Sequence, residues 1–319
     1  MKTARIWIIV GACLIMLGMI VAVAALAMES FDLNIFVTTK YETNTYEITE
    51  GFSNISIDSD TADIVFVISE NENCKVVCYE SVKQNHDTFV NNDTLHIKIN
   101  DQRKWFEYIG ITTDSPEITV YLPTAEYGTL TVKESTGDVA LPRELSFDNI
   151  DITTSTGDVR CLASATEDIK INTDTGDIQI SQISAKNVKL SVSTGRITAG
   201  DITCAGDVTV TVSTGKATLT DVSCLDLISD GSTGDLVLTN VVATGKFFIE
   251  RSTGDVRFDA CDAAELLIET DTGDVEGSLL TEKIFFVESD TGRINVPRTT
   301  NGGKCEITTD TGDVKIVIQ

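Results

Sequence analysis

Histidine is scarce in this 319-residue chain, which carries only His86 and His96. Tryptophan and tyrosine are missing altogether after Thr129. Basic residues are few as well: 24 Lys and Arg stand against 49 Asp and Glu, a formal net charge of −25. Each shortage narrows function. A body this acidic repels nucleic acid and anionic lipid, so neither is expected as its partner. Without Trp or Tyr the later part of the chain lacks the usual stacking platforms for sugar rings, which argues against carboxylate-driven polysaccharide cleavage. Serine nucleophile elbows, phosphate loops and metal-ligand His/Cys spacings are all lacking. No catalytic residue, cofactor or metal is therefore expected, and the chain reads as a non-enzyme. The two histidines read as solvated or packed.

What is present is a repeat. Ser or Asp, then Thr, then Gly recurs ten times, with the glycines at Gly137, Gly157, Gly176, Gly195, Gly215, Gly234, Gly254, Gly273, Gly292 and Gly312. Intervals of 19 or 20 residues separate them. A period this regular marks a solenoid. Seven and five residues before each Gly stand apolar residues such as Ile150 and Ile152, with Ser229 the polar exception, and two after it stand residues such as Val159. Spacing by two on either side of a corner is the pattern of half-buried strands, and the three-and-four spacing of helices is absent. The fold class is all-β: a single-chain parallel β-solenoid of about ten coils, each read as strand, tight corner, strand, return. Coils stacked at the inter-strand spacing make a rod roughly 45–50 Å long. Inward side chains contributing about 1.5–3 kcal/mol each make stacking the dominant stabilisation. The corner glycines are assigned a structural role, a turn with positive φ.

Ahead of the repeats, Lys2 and Arg5 precede an uncharged run from Ile6 to Met28. That is long enough to cross a bilayer as a helix, and the positive flank places the rest of the chain outside. A cleaved signal peptide is the rival reading, since Ala25-Leu26-Ala27 resembles a cleavage site. Four segments follow: 1–28 as cytoplasmic tip and transmembrane anchor, 29–51 as a stalk, 52–128 as a degenerate first coil plus a β excursion, and 129–319 as the solenoid. In the degenerate coil Ala62 takes the Gly slot, with Ile55 and Ile57 before it and Ile64 and Phe66 after. The excursion carries alternating runs at Lys75–Tyr79, Thr94–Lys98 and Glu117–Leu122, strands of a small meander fit to cap the core, with Trp105, Phe106 and Tyr108 packed inside it.

Of eight cysteines, Cys13 lies in the membrane run, while Cys161, Cys261 and Cys305 occupy aliphatic positions and read as core fillers. Cys204 and Cys224 fall at equivalent places in adjacent coils, close enough to bridge but poorly oriented for it. Cys74 and Cys78 share a strand face too far apart to pair.

Two columns stand out. The residue after the Gly is Asp in seven coils, and Arg196, Lys216 and Arg293 replace it in the others. Such a column either threads calcium or lets each Asp accept backbone N–H groups at its own turn, and the basic interruptions favour the turn. Six residues before the Gly, where side chains point outward, four consecutive coils carry Ile228, Phe248, Leu267 and Phe286. Stacked, these make an apolar stripe roughly 15 Å tall, the candidate interface. The chain closes on Ile316-Val317-Ile318-Gln319, a final strand read as an unprotected, adhesive edge.

The amino-terminal apolar run, the strand ending at Leu122-Pro123 and the tandem Ser/Asp-Thr-Gly-Asp coils together resemble the bacterial putative-adhesin family of domain-of-unknown-function β-solenoids, over about residues 50–319. The resemblance implies an adhesin-like interaction or structural protein of the bacterial envelope, with an accessory or sensor role in envelope-stress signalling as the alternative. It brings no catalytic residues. Expected partners are a protein or envelope component, the membrane through the N-terminal helix, and a second copy through the stripe or the final strand.

Overall fold

The computed structural model describes residues 11, 14–21, 40–70, 73–103 and 115–319. Trp105, Phe106, Tyr108 and Cys13 lie outside the described residues. From Asn54 onward the chain winds as a parallel β-solenoid, and each coil stacks on its neighbour in the register that the glycine spacing predicts. On the first wall Leu130, Ile150, Ile169, Val188, Val208, Leu227, Phe247 and Leu266 lie side by side in parallel pairs. On the second wall Val139, Val159, Ile178, Ile197, Ala217, Leu236, Val256 and Val275 do the same. All of these are buried, so one continuous apolar core runs along the rod.

The corner between the walls explains the glycines. Gly234 sits at φ +140°, and a Cβ there would fall inside the Gly215 carbonyl oxygen of the coil below. Close stacking of successive corners thus excludes a side chain in addition to the backbone angle. The return is itself built of a second corner and a short third side. Six residues after the Gly, Gln182, Asp201, Asp221, Asn240 and Ala260 all adopt φ between 51° and 57°. Four of these five are Asx or Gln, and Asn and Asp tolerate this left-handed conformation better than most residues. The third side then buries small and aliphatic pairs such as Ile202 with Cys204 and Val241 with Ala243.

The polar exception at Ser229 has a structural reason. Arg251, one coil on, turns its guanidinium into the core and donates from Nη2 to Ser229 Oγ at 2.7 Å. Gly231 leaves the space, since a Cβ there would strike that guanidinium. Burial lowers the Arg251 pKa to about 10.

Two expectations about the ends are corrected. Tyr41–Ile48 (β1), assigned to a stalk, is a strand. It is followed by Asn54–Asp58 (β2), Asp63–Ile68 (β3), Cys74–Ser81 (β4), Gln84–Asn91 (β5), Thr94–Asp101 (β6), Glu117–Leu122 (β7), Glu126–Thr136 (β8) and Val139–Leu141 (β9). β2 and β3 form the degenerate coil in the expected register, with Ile55 on Leu130 and Ile64 on Val139. β6 and β7 lay one more parallel layer on it, with Leu95 beside Ile55 and Ile118 beside Ile64. Beyond that layer the pairing turns antiparallel. β5 flanks β6 on the first wall, and β4 then β1 flank β7 on the second. β5 corresponds to none of the alternating runs in the sequence; with β4 it forms the hairpin that closes the end.

At the other end, sequence order and spatial order part company. The last strands, Gly303–Thr311 and Val314–Ile318, insert between the coil at Gly273 and the coil at Gly292, pairing with Glu265–Thr272 and Val275–Leu279 on one side and with Lys283–Thr291 and Ile294–Asn295 on the other. The outermost coil is therefore the penultimate one in sequence. Its inward residues Phe285, Val287 and Val296 are only partly buried. Of the final strand only Val314 and Lys315 gain an outer partner, Ile294 and Asn295, while Ile316, Val317 and Ile318 pair on the inner side alone; the outer edge of Lys283–Thr291 also has no partner among the described residues.

The seven described cysteines are all buried and free, Cys204 and Cys224 included. Burial pushes the thiols of Cys74, Cys161, Cys224 and Cys305 up to about 12, so they pack as neutral groups.

Candidate functional site

The apolar column reaches the surface as predicted, but its order changes. Ile228 stacks on Phe248 and Phe248 on Leu267, and the inserted coil then places Glu306 between Leu267 and Phe286. Phe248 and Leu267 are 42% and 37% exposed, and Phe286 is 54% exposed. The predicted run of four is thus a run of three, followed by a charged interruption and a second apolar spot at the end of the rod. Glu306 accepts from Lys304 Nζ at 2.6 Å, and the same ammonium lies 5.7 Å from the centre of the Phe286 ring. Two residues further along each strand runs a column of exposed carboxylates, Asp230, Glu250 and Glu269, with Glu288 on the end coil. An apolar strip with acid along one border, and with the Lys246–Glu265 ion pair along the other, is therefore the chemical character of this face.

The Asp column at the first corner is a stack of inter-coil hydrogen bonds. Asp63 Oδ1 accepts from the Asp138 N–H at 2.9 Å, Asp138 from Asp158 at 2.7 Å, Asp158 from Asp177 at 2.8 Å, and Asp177 from Arg196 at 2.8 Å. The ladder resumes through Asp235, Asp255, Asp274 and Asp313 and ends on the Arg293 N–H. The acceptor role is as expected, but the donor belongs to the next coil and not to the same turn. Each carboxylate staples one corner to the following one. Arg196 also holds Asp177 Oδ2 from Nε and Nη2, at 3.1 and 2.9 Å.

A third cluster was invisible in the linear sequence. Where the walls close at the N-terminal end, the His86 ring sits between Glu80 Oε2, 2.7 Å from Nδ1, and Ser59 Oγ, 3.1 Å from Nε2. Asn44 Nδ2 donates to the other Glu80 oxygen at 2.8 Å, and Tyr46 OH donates to the His86 carbonyl at 3.0 Å. Hydroxyl, imidazole and carboxylate follow the order of a nucleophilic relay. Ser59, however, is only 5% exposed. The backbone donors at this corner, Ala62 N–H and Thr136 N–H, are both taken by Glu134 Oε1. Burial pushes the Glu134 carboxyl up to about 7, against the pull of Ser59 and the two N–H groups and with a small push from Asp60. The signal that could have found this cluster is the inward parity of Cys78 and Glu80 on one strand, with a histidine on the next.

A shallow depression of about 380 Å³ lies on the second wall near Gly277, lined by Arg257, Glu276, Lys315 and Val317 among others. Its charges are mixed, and it adds no reactive group.

These features define a parallel β-solenoid with an antiparallel cap at one end and an open coil at the other. The chain belongs to the Toastrack DUF4097 family, whose profile matches residues 52–212 and 196–319. Among solved structures it is similar to a protein described as a putative adhesin from Bacteroides fragilis, with 14% identity and a TM-score of 0.44 over 87% of this chain and 97% of that one. A protein described as a putative lipid binding protein from Parabacteroides distasonis gives the same figures. A putative adhesin from Parabacteroides distasonis has 15% identity and a TM-score of 0.43, over 75% of this chain and 98% of that one. No curated protein matches.

Proposed function

We propose that this chain is an adhesin-like interaction rod of the bacterial envelope, held on the outer face of a membrane by residues 6–28, with no catalytic step of its own. The observation that carries the reading is the apolar strip of half-buried Ile228 and exposed Phe248 and Leu267, with acid along one border. Contiguous apolar surface of this kind marks an interface, and the neighbouring Asp230, Glu250 and Glu269 fit a partner that presents basic residues beside apolar ones. The open end coil, with Phe286 exposed beyond Glu306, is a separate surface that offers a second copy a place to pair. The anchor is supported by the helical residues 14–21, whose side chains, Leu14, Ile15, Met16 and Leu17 among them, stand exposed. Among the described residues no helix is long and apolar enough to cross a membrane.

The test is a double substitution, Phe248→Asp with Leu267→Asp, in the full chain displayed on cells. Retention on cell-wall material or host-cell surfaces should fall at least about tenfold while the melting temperature stays within a few degrees. Retention equal to that of the unaltered chain would refute the interface.

A further inference from the structure

Cys78, Glu80 and His86 form the one group of described side chains that brings three metal-ligating atoms together. Cys78 and Glu80 are two residues apart on β4, and both point into the space between the walls. His86 enters the same space from β5. These strands meet only at the tip of their hairpin, Ser81 beside Gln84, and then diverge to opposite walls. The thiol sulfur, a carboxylate oxygen and a ring nitrogen all lie within 4.8 Å of one another, and the three residues are 0%, 1% and 3% exposed. We propose that this cluster is a zinc site that ties the two walls of the cap together.

The donor set fits the ion. Thiolate, imidazole and carboxylate are the three side-chain ligands zinc takes in proteins, at about 2.0–2.3 Å. One thiolate, one carboxylate and one neutral imidazole balance the charge of a divalent cation, so the filled site is neutral, which a buried position requires. The far sides of the ligands are already oriented: Asn44 holds the second Glu80 oxygen, and Ser59 Oγ faces the other ring nitrogen of His86. Such outer partners fix the tautomer and aim of metal-bound histidine and carboxylate. The third ligand is the one left over without an ion. The Cys78 thiol, like those of Cys74, Cys224 and Cys305, makes no hydrogen bond among the described residues, and of these four it is the one that lies beside a histidine and a carboxylate.

The geometry requires a small adjustment. Nδ1 and Oε2 are 2.7 Å apart as a hydrogen-bonded pair, and tetrahedral zinc holds such atoms about 3.3 Å apart. Side-chain rotation supplies that opening and draws the sulfur inward, and solvent takes the fourth position. Zinc displaces the thiol proton, which returns to water. His86 binds through Nδ1, so the proton that joins Nδ1 to Glu80 Oε2 is displaced as well: it leaves that position, and the ring carries its one proton on Nε2, directed at Ser59. Because the ligands bind in their deprotonated forms, uptake releases protons and weakens as the pH falls.

The experiment loads the full chain with zinc chloride, removes excess by dialysis and measures bound metal by elemental analysis. The proposal expects one zinc per chain and a melting temperature raised by zinc and lowered again by a chelator. Cobalt(II) in place of zinc should give a thiolate-to-metal charge-transfer band in the near ultraviolet. Cys78→Ala should abolish that band, and His86→Gln should weaken metal binding at least about tenfold. If Cys78→Ala fails to fold, His86→Gln and the cobalt spectrum of the unaltered chain still decide. A chain that retains no zinc, shows no thiolate band, or binds equally well without His86 overturns the site.

Discussion

Glu134 offers the most direct check on the electrostatics of the cap, through the substitution Glu134→Gln. Its carboxyl replaces the Thr found at the same inward place in the next coils, Thr154 and Thr173, and it is 5% exposed. Burial lifts its pKa from 4.5 to about 7. A folded-state pKa above the unfolded one means that the fold favours the protonated form. The full stability is therefore present below about pH 4.5 and is lost as the pH rises through 7. A rise of that size corresponds to about 3 kcal/mol between the two limits. Gln keeps the shape and an oxygen for the Ala62 and Thr136 N–H groups, but it never ionises. In urea unfolding followed by circular dichroism, the two proteins should agree near pH 4.5. The variant should then become the more stable by about 1–3 kcal/mol at pH 8. Taking the difference between the two proteins cancels the general repulsion of a chain with a net charge of −25. A difference that does not change with pH would refute the reasoning, because it would mean that Glu134 is not paying for ionisation inside the fold.

Two further substitutions test the corners. Gly234→Ala places a methyl group against the Gly215 carbonyl oxygen at a backbone angle that disfavours it, and should lower stability by at least about 1 kcal/mol; a thermal melt checks this, and an unchanged midpoint would sink the close-stacking account. Ala260 holds at φ 51° a position that Asx or Gln fills in four other coils. Ala260→Gly should therefore raise stability by roughly 0.5–1 kcal/mol, with a lower melting temperature as the contrary result.

The repeat made the coil legible and left the order of coils illegible, for one physical reason. Periodicity fixes which residues share a column, because equivalent positions such as Ile150 and Ile169 must meet inside the rod. It does not fix which coil lies on which. The interval from Gly292 to Gly312 is as regular as any other, yet the last coil lies beneath the one before it. What marks the exchange is local: Gly302 at φ 104° beside the Glu282 carbonyl, and Gly303, where a Cβ would strike the Ala264 backbone. A Gly-Gly step lets the chain slip between two coils, but in one sequence it reads only as a loop. The cap cluster was hidden for a related reason. Cys78, Glu80 and His86 look unremarkable by spacing, and they meet only because β4 and β5 leave one hairpin for opposite walls.

The exchange of the last two coils also determines what the end of the rod presents. The inserted coil supplies Cys305, Ile307, Val314 and Ile316, all deeply buried, and these small and branched side chains complete the core. The displaced coil supplies larger groups, Phe285 inside and Phe286 and Ile284 outside, that remain half covered or exposed. Had the coils stacked in sequence order, Phe286 would have joined Leu267 in one strip, and Glu306 would have stood at the tip. As folded, the lysine-carboxylate pair Lys304–Glu306 divides the strip from the tip. The strip and the tip are therefore separable surfaces. Phe248 and Leu267 can be altered without touching the open edge of Lys283–Thr291, so binding through the face and pairing through the end are distinguishable by experiment on the same protein.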